Sequence, residues 1–158
     1  YAHAGKKLNF MGNEFAQFRE WDEKREQDWD LLKYPNHDAF HNYIKDLNNL
    51  YLTSPALWAD YDESGFKWID CHRESRCIYA FERAGGAQRI MALFNLSDTR
   101  VSGFRVKIQD AAELTLLMCG DEERYGGHAK YDGKVYKIKD GETYVDIPPF
   151  CGMLFEIK

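Results

Sequence analysis

The sequence predicts a mainly β protein, an antiparallel β-sandwich preceded by a single strand, a loop and a helix. Two observations carry this. Beyond about residue 60, short apolar runs follow one another, separated by Gly, Asp and Ser turn pairs, which is the spacing of an antiparallel sandwich or barrel. Before residue 60 there is one long apolar stripe at helical period.

Residues 7–11, Lys-Leu-Asn-Phe-Met, read as a short strand that Gly12-Asn13 ends. Residues 16–34 are charged and aromatic with no clean period, and read as a loop with a short helical turn. Pro35-Asn36-His37-Asp38 is a helix start with an acidic first turn. Phe40, Tyr43, Ile44, Leu47, Leu50 and Tyr51 then share one helix face, until Ser54-Pro55 stops it. Such a helix needs a partner surface larger than one short strand.

Strand-like runs follow at 66–71, 76–82, 89–96, 101–108, 113–119, 134–139, 143–147 and 153–157. Gly85-Gly86, Ser97-Asp98, Gly126-Gly127, Asp132-Gly133 and Asp140-Gly141 mark the turns. Pro148-Pro149 forces the last strand to begin after it. There is no internal repeat and no low-complexity stretch.

Composition narrows the function. The 158 residues suit one domain or one and a fraction. They are too few for a complete (β/α)₈ barrel of roughly 250 residues. They suffice for a real core, since chains of ~150 residues bury roughly 70% of their unfolded surface. With 21 basic and 26 acidic side chains the net charge is −5, which offers no footprint for nucleic acid or an anionic membrane. No apolar run approaches the ~20 residues of a membrane span. All four tryptophans, Trp21, Trp29, Trp58 and Trp68, lie in the first 68 residues. They either fill a core or stack on flat apolar faces such as those of sugars, and composition alone favours the core. Cys71, Cys77, Cys119 and Cys151 form no CxxC pair, and no secretory signal is recognised. Cys77, Cys119 and Cys151 border apolar runs and are expected to be buried, reduced thiols in a cytoplasmic protein.

The chemistry-bearing stretch is 5–34. Glu14 follows directly on the predicted strand, and Phe18, Trp21 and Trp29 stand among Arg19, Glu20, Asp22, Arg25 and Asp28. This is either a solvated loop packed back on the body or a binding site. His37 and His41 are one helical turn apart but lack carboxylate ligands at matching spacing, so they are expected to be surface side chains. His3 and His128 are expected to be exposed, and Asp121-Glu122-Glu123 to be a solvated acidic loop.

Gly5-Lys6-Lys7-Leu8 through Phe10-Met11-Gly12-Asn13-Glu14-Phe15, then Gln17, Arg19-Glu20-Trp21 and Asp28-Trp29, closely resemble bacterial 1,4-α-glucan branching enzymes. The resemblance continues through Asp46-Leu47-Asn48, Leu50-Tyr51, Pro55-Ala56-Leu57, Gly65-Phe66, Trp68-Ile69-Asp70, Phe94-Asn95, Glu123 to Gly127 and Pro148-Pro149, and spans essentially the whole chain. The family usually has Gly at Ala16, Leu at Asn9 and often Trp at Phe18. Ala16 implies that this position needs no positive φ here.

The resemblance implies the α-amylase superfamily. Residues 1–58 would be the last strand, loop and helix of a catalytic (β/α)₈ barrel, and 59–158 a C-terminal all-β domain. The helix would then pack on an upstream barrel of the same polypeptide. The reaction implied is retaining transglycosylation, in which an α-1,4 bond is cleaved through a glycosyl-enzyme intermediate and the chain passes to a 6-hydroxyl. The substrate would be an α-glucan such as glycogen or amylose-like chains, with no metal or cofactor. The reacting carboxylates follow the fourth, fifth and seventh barrel strands in this superfamily, so none is assigned here. Glu14, Gln17, Trp21, Asp28 and Trp29 are implied rim residues near substrate, and the two tryptophans either line a glucan subsite or pack the loop on the barrel. The alternative is a glucan-binding or barrel-stabilising β module of a debranching or trehalose-forming relative.

Overall fold

The computed structural model describes residues 1–73, 77–130 and 133–158. The predicted strand start at Arg76 and the turn residue Asp132 lie outside the described residues.

The predicted helix is α1, Pro35–Thr53, with Pro35 in its first turn. Eight strands follow: β1 Phe66–Arg73, β2 Ile78–Gly85, β3 Gln88–Asn95, β4 Val101–Lys107, β5 Glu113–Cys119, β6 Val135–Lys137, β7 Glu142–Ile147 and β8 Cys151–Ile157. They form a six-stranded sheet of order β1-β2-β3-β8-β5-β6 and a two-stranded ribbon of β4 and β7, with every neighbouring pair antiparallel. Among the described residues, no helix is long and apolar enough to cross a membrane.

Alternation along the strands divides the apolar residues between two cores. Met91 and Leu93 of β3, with Met153, Phe155 and Ile157 of β8, point to the ribbon, where they meet Phe104, Val106, Val145 and Ile147. Ile90, Ala92 and Leu154 point the other way and pack with Leu47, Ala56, Leu57 and Phe81. β3 is therefore buried on both faces. The outer face of the large sheet gives α1 a partner within this chain: Leu47 is buried, and Tyr43, Leu50 and Tyr51 pack beside it.

Several expectations are corrected. Residues 7–11 form no strand, because no described strand lies alongside to complete a hydrogen-bond ladder. Leu8 there is 84% exposed. The tryptophans do not fill the core. Trp21 is 49% and Trp29 46% exposed, and Trp58 and Trp68 are also about half exposed. Cys119 and Cys151 are buried, but Cys77 is half-buried at a left-handed turn (φ 51°) entering β2.

No sequence pattern marks Arg83, whose side chain is 0% exposed. Its Nη1 donates to Ala2 O (2.8 Å), its Nε to Gly65 O (3.2 Å) and its Nη2 to Ala59 O (3.2 Å) and Asp60 Oδ1 (3.3 Å). Lys7 Nζ reaches the same Asp60 oxygen at 2.7 Å and also donates to His3 O and Gly5 O. Tyr51 of α1 donates to the other Asp60 oxygen at 3.4 Å. One carboxylate thus joins residues 1–7, α1, the segment after it and β2.

Removing the guanidinium leaves several buried carbonyls unmatched and takes one of its two cations from Asp60. Arg83→Met should therefore cost about 3–5 kcal/mol and lower Tm by roughly 10 °C. A loss under about 1 kcal/mol in urea titrations would contradict this role. Burial opposes ionisation of Asp60, but Lys7 and Arg83 outweigh it and hold the carboxyl below its ordinary value of 3.8. A folded pKa below the unfolded one means the stabilisation is complete above the unfolded value and is lost as pH falls through the folded one. Asp60→Asn should therefore be less stable at neutral pH and lose less stability on acidification below about pH 4. Parallel acid limbs for the two proteins would refute the assignment.

Candidate functional site

The loop between residues 12 and 34 is fixed by its own polar groups. Gly12 turns the chain with φ 91°, a 3₁₀ turn follows over Asn13–Phe15, and Ala16 closes it at φ 55°, ψ 48°. The expectation for Ala16 is thus corrected: it occupies the left-handed region although it carries a Cβ. Phe15 inserts into the interior and is fully buried. His37 Nδ1 lies 2.8 Å from Phe15 O, and His41 Nδ1 lies 3.2 Å from Glu14 O. A carbonyl can only accept, so each imidazole carries its proton on Nδ1. Both rings are half-buried, which corrects their reading as surface side chains. Their one-turn spacing serves to hold this 3₁₀ turn on α1.

Gln17 joins the ends of the loop. Its amide N–H donates to Gly12 O (3.0 Å), its Nε2 to Arg19 O (2.9 Å), and its Oε1 accepts from Asp28 N (2.8 Å). Arg19 grips Asp28 with two nitrogens, Nη2 to Oδ1 at 2.9 Å and Nε to Oδ2 at 3.3 Å. That hydrogen bonding holds the Asp28 carboxyl below the usual carboxylate range. Glu14 turns its Oε2 back onto Gly12 N at 3.0 Å. Trp29 rests on Phe15 with ring centres 4.9 Å apart, and Trp21 stands edge-on to Phe10 at 5.5 Å. The structure thus bonds Gln17 directly to Asp28 and sets Trp29 next to Asp28. Glu14 serves the turn, and Trp21 stands on a separate aromatic pair.

A cleft of about 700 Å³ opens beside this frame, lined by Phe18, Gln27, Asp28, Trp29 and Tyr34 among others. Gln27 Oε1 is buried with no hydrogen-bond partner among the described residues. Aromatic faces and a fixed carboxylate suit a ligand with apolar faces edged by hydroxyls. Sequence reading picked out Phe18 as an aromatic of this stretch but missed Gln27 and Tyr34 as lining, because lone polar or aromatic residues in an irregular loop carry no spacing signal.

A second junction carries α1. Asp46 Oδ2 accepts from Tyr125 Oη (2.7 Å) and Arg124 Nη1 (3.1 Å), while Tyr43 packs edge-on against Tyr125 at 5.1 Å. Burial and then the Asp46 hydrogen bond raise the Tyr125 pKa well above its ordinary value. Glu122 is buried, accepting from Cys119 N (3.0 Å) and Arg124 Nε (2.7 Å), which corrects the solvated acidic loop. Asp121 is half-buried and accepts from His128 N at 3.2 Å, while Glu123 is exposed. The Gly126-Gly127 signal has a physical basis. Gly126 has φ 84°, and a Cβ on Gly127 would meet Asp121 O at 2.2 Å.

Residues 68–158 match the family described as alpha amylase, C-terminal all-beta domain. The chain belongs to that family. The alpha-amylase C-terminal domain accounts for β1 to β8, and likeness extends beyond it. The chain is 41% identical over 138 residues to the 1,4-alpha-glucan branching enzyme GlgB of Thiobacillus denitrificans, covering 85% of this chain and 18% of that protein. It is 38% identical over 168 residues to the GlgB of Pseudoalteromonas atlantica, covering 100% of this chain and 23% of that protein. The chain thus spans about a fifth of the length of these relatives. Among solved structures, AmyP crystallised with maltotriose superposes with TM-score 0.59 at 17% identity, over 77% of this chain and 21% of that one. That likeness shows a shared fold over those residues.

The left-handed Ala16 yields a test. Relief of the Cβ clash should slightly exceed the added chain entropy of glycine, so Ala16→Gly should stabilise the protein by about 0.5–1 kcal/mol. A thermal melt with Tm unchanged or lowered would show that the turn carries no strain.

Proposed function

We propose that these residues form the C-terminal part of a 1,4-α-glucan branching enzyme, which cleaves α-1,4 chains and passes them to a 6-hydroxyl to make α-1,6 branches in glycogen. The supporting observation is that similarity to branching enzymes covers the whole chain, including the residues before 68 that the C-terminal domain family leaves out. On this reading residues 1–58 complete a catalytic (β/α)₈ barrel and 59–158 are its C-terminal domain. The partners are the barrel of the same polypeptide and an α-glucan. The reacting nucleophile and acid sit on that barrel, and this chain supplies none.

The loop cleft is then a rim site for glucan. The indole of Trp29 and the rings of Phe18 and Tyr34 offer stacking faces, while Asp28 accepts from sugar hydroxyls. Gln17 and Glu14 hold the loop in shape, and Trp21 offers a further exposed face. A cytoplasmic location accords with Cys119 and Cys151 standing as thiols.

The purified 158 residues should leave the iodine absorbance of amylose unchanged, and branching by them alone would overturn the placement of the reacting carboxylates. In the complete enzyme, Trp29→Ala should raise KM for amylose about fivefold with kcat little changed, as loss of one aromatic contact of ~1 kcal/mol predicts. An unchanged KM would remove Trp29 from the glucan path.

A further inference from the structure

The polar network and the cleft leave one pair of reactive groups without a role. Cys119 closes β5 and Cys151 opens β8, and their sulfurs lie 3.4 Å apart with both side chains buried. The strands fix the two backbones. Cys119 sits opposite Met153, two residues beyond Cys151, and Gly120 N donates to Gly152 O at 2.9 Å. A disulfide needs the sulfurs to close from this contact to about 2.05 Å, and with the two residues diagonal across the strand pair this takes a small shift of the strand ends as well as side-chain rotation.

We propose that Cys119 and Cys151 are a reversible dithiol–disulfide site whose co-reactant is a small-molecule disulfide. The Cys151 thiolate attacks one sulfur of that disulfide, breaking its S–S bond and expelling one half as a thiolate that takes up a proton. The Cys119 thiolate then attacks the Cys151 sulfur of the mixed disulfide and expels the second half as thiol. The protein's two thiols are oxidised to one disulfide, and the small disulfide is reduced to two thiols. Either sulfur can donate across the 3.4 Å contact, and the order written here takes Cys119 as the donor. A hydrogen bond from Cys119 favours the Cys151 thiolate and, against burial, holds its pKa below the ordinary thiol value.

Access runs past Gly120. With no side chain there, even an added Cβ would stand 3.9 Å from Cys151 Sγ. The segment over the pair carries Glu122, which accepts from Cys119 N, and Tyr125, which holds Asp46 of α1. Reaching the buried sulfurs requires this segment to open.

The test equilibrates the full chain in glutathione buffers from fully reduced to fully oxidised, followed by acid quench, alkylation and peptide mass spectrometry. The expected result is joint loss of two alkylatable thiols and a Cys119–Cys151 cross-linked peptide, reversed by dithiothreitol. Tm should rise by roughly 5–10 °C on oxidation. Cys119→Ser should stop at a Cys151–glutathione adduct, and Cys119→Ala serves the same purpose if the serine variant folds poorly. Full alkylation of both peptides in the most oxidising buffer would overturn the proposal. So would a cross-link that pairs either residue with Cys71 or Cys77.

Discussion

A guanidinium cannot shed its proton, so a buried arginine must have its charge and its N–H donors answered by the protein around it. Arg83 meets this demand with carbonyls of Ala2, Gly65 and Ala59 and with one oxygen of Asp60. Those acceptors come from irregular segments that have no ladder of their own. Residues 1–7 lack strand partners, and the segment after α1 has only short 3₁₀ turns at Pro55–Leu57 and Glu63–Gly65. Arg83 projects from β2, one of the best-paired strands, and lends its rigidity to them. Lys7 completes the arrangement, because a single carboxylate between two cations is held ionised from both sides. The place of α1 on the sheet follows from this, since Tyr51 near its C-terminal end donates to the same Asp60.

The other half of α1 depends on Asp46. Tyr125 and Arg124 converge on it from the 3₁₀ turn Glu123–Tyr125, and Glu122 ties that turn back to the β5 backbone. The helix is therefore clamped to the sheet at two places along its length, with Leu47 buried between them. Its first turns remain available to carry the loop. His37 and His41 reach from those turns to the carbonyls of Phe15 and Glu14.

Legibility differed by the range of the forces involved. All eight strands were readable, because alternation and turn pairs are local and each strand meets only its neighbours. The helix bounds were readable for the same reason, from Pro35 and Ser54-Pro55. Residues 7–11 looked like a strand because Leu8, Phe10 and Met11 make a short apolar run that Gly12-Asn13 ends, but pairing needs a neighbour that local pattern does not reveal. Arg83 was illegible, since charged residues on strands usually face solvent and its acceptors are scattered from Ala2 to Gly65. In the site, Trp29 and Asp28 stood out by type. Their partners Phe15, Gln17 and Arg19 take meaning only once the loop folds back on itself. Ala16 misled because a Cβ argues against a left-handed turn, yet the bonds from Gln17 N to Gly12 O and from Ala16 N to Asn13 O hold it there.

The tightness of the loop bears on what the exposed tryptophans do. Aromatics that merely escaped burial would be expected on a mobile segment. Here Trp29 lies on buried Phe15, Asp28 is locked by Arg19 and Gln17, and the turn beneath them is bonded twice to α1. Holding a large apolar ring half in water on a rigid base forgoes hydrophobic burial that the core could have supplied. The return is that a ligand meeting this surface need not order it, which removes part of the entropic cost of binding. Each support in turn rests on another: the loop on α1, α1 on Asp46 and Asp60, and those on β2 and β5. The β domain therefore contributes to the cleft by fixing its base.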